Sequence, residues 1–114
     1  MSRIVEHSIL IVDDDEDAGQ NLGDILNDLG YRVGVATDGF SALELARNQN
    51  YEIALLDFKM PGMDGLTLAR KLKELSGSIV VILTTAYANQ ATVTAAPEHG
   101  VSKIFSKPLD LKCI

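Results

Sequence analysis

The chain has 114 residues, 46% hydrophobic but only 5% aromatic, and its 16 acids against 10 bases give a formal charge of −6. This composition suits one domain with an aliphatic core and excludes a disordered chain, while scattered bases offer no clustered positive surface for the phosphates of DNA or RNA. No apolar run nears the roughly 20 residues of a membrane helix, and the opening MSRIVEH lacks the apolar stretch of a signal peptide.

The expectation is therefore a single cytoplasmic domain over residues 1–114 with no membrane and no direct nucleic-acid partner, in which the lone Cys113 has no internal disulfide partner. Ile9 to Val12 form a first strand that runs straight into five acids, Asp13, Asp14, Asp15, Glu16 and Asp17. Ala18, Leu22, Ile25, Leu26 and Leu29 follow at helical spacing, and Gly30 stops that helix. Capping and the helix dipole account for Asp15, Glu16 and Asp17, but Asp13 and Asp14 precede the first turn and need another reason. Arg32 to Ala36 read as a second strand, and Thr37, Asp38 and Gly39 as a turn. A helix follows with Ala42, Leu45 and Ala46 on one face, then a third strand, Glu52 to Leu56, ending at Asp57. The loop KMPGMDG leads to a helix with Leu68, Leu72 and Leu75 on one face. Ser78 to Thr84 are apolar on both faces, as in a central strand covered by helices on two sides. A weaker helix spans Asn89 to His99, interrupted by Pro97, and Lys103 to Ser106 make a fifth strand ending at Lys107 and Pro108.

Alternating strands and helices predict an α/β domain with a parallel sheet, whose ligands bind at the carboxyl ends of the strands. Those ends carry Asp13 and Asp14, Asp57, Thr84 and Thr85, and Lys107. Crowded carboxylates repel one another and destabilise the fold unless a cation compensates. Oxygen ligands without nearby His or Cys favour a hard ion, and Mg²⁺ takes one or two carboxylates while keeping sites for water and phosphate oxygens. An Asp facing such an ion can attack phosphorus, with a lysine and a hydroxyl neutralising the transferred group.

ILIVDDDED, LLDFKMPGMDG, VVILTTAY and IFSKP, in this order and spacing, resemble the receiver domains of two-component response regulators over nearly the whole chain. The resemblance implies a doubly wound, flavodoxin-like five-stranded parallel sheet of order 2-1-3-4-5. It implies a phosphorylation-dependent switch in which Asp57 accepts a phosphoryl group from a histidine kinase or histidine phosphotransfer protein and the domain dephosphorylates itself. By the same resemblance Mg²⁺ is bound by Asp14, Asp57 and the backbone carbonyl of Lys59, with Asp13 acting through water. Thr85 and Lys107 hold phosphoryl oxygens, and Pro108 fixes the approach of the lysine. His7 and His99 read as surface residues.

Three positions depart from the family pattern. Ile104 stands where an aromatic switch residue is usual, and Phe105 should face the other side of its strand. Lys59 and Tyr87 occupy the positions that tune dephosphorylation, so the phosphate lifetime is altered. Only Leu109 to Ile114 follow Pro108, so the final helix is largely absent and the uncovered face is expected to mean self-association, a partner, or a chain cut from something longer. The competing function is a receiver-like interaction module that does not use phosphate, favoured by Ile104 and opposed by the complete Asp, Thr and Lys set. A true phosphatase with a nucleophilic Asp would need a general acid two residues after Asp57, where Lys59 stands.

Overall fold

A computed structural model describes residues 7–58, 62–85 and 97–106. Five strands, β1 (Ser8–Val12), β2 (Arg32–Ala36), β3 (Ile53–Asp57), β4 (Val80–Thr85) and β5 (Val101–Ser106), form one parallel sheet in the order β2-β1-β3-β4-β5. The expected strand order is thus the observed one. Three helices are described: α1 (Glu16–Asp28), α2 (Gly39–Asn48) and α3 (Gly65–Leu75). None is long and apolar enough to cross a membrane.

Alternation along each strand divides the interior into two layers. Leu10, Val12, Ala54, Leu56, Val81 and Leu83 point to one face, where Ala42 and Leu43 of α2 and Leu68, Ala69 and Leu72 of α3 cover them. Ile9, Ile11, Leu55 and Ile82 point to the other, against Leu26 of α1. Helices on both faces explain why β1 is buried along its whole length and β4 along all but its first residue.

Local chemistry sets the element ends. Asp15, Asp38 and Asp64 each accept a backbone N–H three residues on, capping α1, α2 and α3. At the end of α1, Gly30 takes φ 102°, its N–H reaches the Asn27 carbonyl, and the Tyr31 N–H reaches that of Leu26. This left-handed closure needs a glycine and bears out Gly30 as the stop.

Three details differ from the sequence expectation. Ser78 and Ile79 belong to a turn closed by the Ile79 N–H on the Ser76 carbonyl, so β4 starts at Val80, whose N–H bonds the Glu52 carbonyl. β5 starts two residues earlier than expected, at Val101, because a bulge lies between its first two pairings, Val81 with Val101 and Ile82 with Lys103. The buried line of α1 is Gly19, Gly23 and Leu26, leaving Ala18, Ile25 and Leu29 exposed. The weaker helix over 89–99 lies outside the described residues except for Pro97–His99, a short 3₁₀ turn.

Candidate phosphoryl-acceptor site

The acid run after β1 divides into separate tasks. Asp13 continues the strand pairing through its N–H to the Ala36 carbonyl at 3.1 Å. Its carboxylate accepts the Asp15 N–H at 2.9 Å, an Asx turn that folds the chain back toward α1. Asp15 then caps the helix, and Glu16 and Asp17 sit in its first turn, where the dipole favours negative charge. Asp14 is exposed at the tip of the turn.

Asp57 is different in kind. It is the last residue of β3 and only 7% exposed. Burial of a carboxylate in a strand end is unfavourable unless the surroundings compensate for the charge. One carboxylate oxygen each from Asp13, Asp14 and Asp57 lie within 4.8 Å of one another, so the ends of β1 and β3 bring together the three acids read from the sequence. Three oxygen donors without nitrogen or sulfur suit a hard divalent cation, and their spacing lets one ion touch more than one of them.

The backbone around Asp57 is held from two sides. Thr84 pairs with Asp57 in register, its hydroxyl donates to the Leu56 carbonyl at 3.2 Å, and its own carbonyl accepts the Phe58 N–H at 2.9 Å. From the other side the first residue of α3 packs so closely that a Cβ on Gly65 would stand 2.9 Å from the Asp57 carbonyl oxygen. Thr85 ends β4 one residue further and is 4% exposed. Lys59, Tyr87, Lys107 and Pro108 lie outside the described residues. Ile104 and Phe105 do fall on opposite faces, Ile104 against the α2–α3 layer and Phe105 against the α1 layer. The sequence assigned a role to Thr85 and none to Thr84, and it offered Gly65 only as part of the loop KMPGMDG, not as the close neighbour of Asp57.

The family model described as the response regulator receiver domain matches residues 9–114. Sporulation initiation phosphotransferase F of Bacillus subtilis (strain 168) is 33% identical over 108 residues, spanning 95% of this chain and 87% of that protein. The transcriptional regulatory protein ZraR of Escherichia coli (strain K12) is 37% identical over 102 residues, which cover 90% of this chain but 23% of the regulator. A crystal structure of a response regulator protein from Burkholderia pseudomallei, with a phosphorylated aspartic acid, calcium ion and citrate, superposes with a TM-score of 0.90 at 28% identity, over 95% of this chain and 64% of that one. Sheet order, acid cluster and family match agree: the chain belongs to the response regulator receiver domain family, the phosphoryl-accepting switches of two-component signalling.

Proposed function

We propose that residues 1–114 act as one receiver domain in which Asp57 takes a phosphoryl group from a histidine kinase or a histidine phosphotransfer protein. The observation that carries this reading is the buried Asp57 carboxylate at the end of β3, with Asp13 and Asp14 brought beside it by β1. A carboxylate oxygen of Asp57 attacks phosphorus, the donor's P–N bond breaks, and its electron pair leaves with the imidazole. Water later attacks the phosphorus of the acyl phosphate, releasing phosphate and restoring the carboxylate. The domain thus catalyses only its own phosphorylation and dephosphorylation and turns over no external substrate.

Asp13, Asp14 and Asp57, with the Lys59 carbonyl, are the residues assigned to Mg²⁺. When bound, Mg²⁺ neutralises carboxylate and phosphoryl oxygens. Thr85 is assigned to one phosphoryl oxygen through its hydroxyl and Lys107 to another through its ammonium group. Partner proteins have an apolar stripe on α1 to use, since Ile25 is 46% and Leu29 66% exposed. The acidic balance and scattered bases support a cytoplasmic role without direct nucleic-acid contact. One observation favours a second reading, a module whose output is independent of phosphate: Ile104 packs into the α2–α3 layer where the family's aromatic switch residue would stand.

Intact-protein mass after incubation with phosphoramidate separates the readings. The expected outcome is one Mg²⁺-dependent phosphoryl adduct on the wild type and none on Asp57→Asn. Folded wild-type protein without an adduct would favour the phosphate-independent module.

A further inference from the structure

Thr84 is not among the residues assigned to phosphate or metal, yet its side chain bonds the chain directly beside Asp57. It is 8% exposed, it lies opposite Asp57 in the β3–β4 register, and alternation puts both side chains on the same face of the sheet. Its two bonds reach different peptide units. The Leu56 carbonyl belongs to the peptide that ends at the Asp57 nitrogen, and the Phe58 N–H belongs to the peptide that starts at the Asp57 carbonyl. Both planes flanking the Asp57 Cα are therefore tied to one residue of β4. Any residue at position 84 can meet the Phe58 N–H and the Leu56 carbonyl through its main chain, as the parallel ladder requires; what the threonine adds is a second, side-chain donor on the Leu56 carbonyl. Val would fill the same volume and suit a buried strand equally well, so packing does not call for the hydroxyl.

We propose that Thr84 is a positioning residue: its hydroxyl adds a second restraint to the peptide preceding Asp57 and so tightens the direction from which the Asp57 carboxylate meets the phosphoryl donor. The inference rests on the reading of Asp57 as phosphoacceptor and deepens it. Reaction geometry is sensitive to small displacements of the attacking group, so loss of one such restraint slows the reaction without preventing folding.

The test compares wild type, Thr84→Val, Thr84→Ser and Asp57→Asn, following adduct formation by intact mass over a range of phosphoramidate concentrations with Mg²⁺, beside thermal unfolding of each protein. Thr84→Val is expected to lower the maximal rate by about tenfold with little change in the half-saturating concentration. Thr84→Ser, which keeps the donor, is expected to restore it. A Thr84→Val rate equal to wild type would overturn the proposal, and so would Thr84→Ser as slow as Thr84→Val. Should Thr84→Val not fold, Thr84→Ala against Thr84→Ser makes the same comparison. An adduct retained by Asp57→Asn would instead remove the reading of Asp57, and the role of Thr84 with it.

Discussion

Tyr51 and Gly34 show how one side chain decides what its neighbour can be. Tyr51 is 6% exposed and belongs to the larger core layer, and a Cβ on Gly34 in the middle of β2 would collide with its hydroxyl and ring. Glycine ordinarily weakens a strand, but here it gives the ring its place. Burial pushes the Tyr51 phenol above its ordinary 10.0, with the Arg32 charge opposing. A raised folded-state value means that the neutral phenol contributes stability that is complete below pH 10.0 and is lost as pH rises through the folded-state value. Tyr51→Phe should therefore flatten the alkaline fall of the unfolding temperature above about pH 10 relative to wild type, measured by calorimetry or circular dichroism. Among site residues, Asp13, Asp14 and Asp57 were legible because each follows an apolar run that ends abruptly. The bond made by Thr84 was not, because its partner is a main-chain carbonyl 28 residues away that becomes visible only once the register is known.

At the scale of elements, helix starts were easier to read than buried faces. The Asp64 carboxylate accepts the Thr67 N–H at 2.8 Å and opens α3 beside the acid site. Asp64→Ala should lower stability by about 1 kcal/mol in urea titration while leaving the yield of adduct on Asp57 unchanged. On α1 the apolar spacing pointed to Ala18, Leu22, Ile25, Leu26 and Leu29, yet the helix turns Gly19 and Gly23 inward. Cβ atoms on these glycines would stand 3.1 and 3.2 Å from Val35 and Val33 methyl groups, so the helix approaches the sheet more closely than side chains would permit. A hydrophobicity pattern cannot register a face whose contact is backbone. β5 was read two residues short for a related reason. Val101 and Ile104 share a face although three residues apart, because the bulge at Ser102 absorbs one residue and breaks the two-residue period.

Over the whole molecule, alternating strands and helices carried the fold class, and the four ordered motifs carried the strand order. What neither could reveal is how unequally the described side chains divide between the two faces of the sheet. Among the described residues, 16 buried side chains join the layer under α2 and α3, and five join the layer under α1. The central strand β3 feeds both layers, whereas β2 is an edge strand whose side chains are mostly half-exposed. Such a molecule need not come apart all at once. Local opening follows the density of buried contacts, so amide hydrogens of α1 and β2 should exchange with deuterium well before those of β3 and β4. Exchange at one common rate would mean that the thin layer is as tightly coupled as the thick one. Early exchange in α1 would give the protein a reversibly opening side while the strand that presents Asp57 stays closed, so the chain could reshape one surface without losing the geometry of the acceptor.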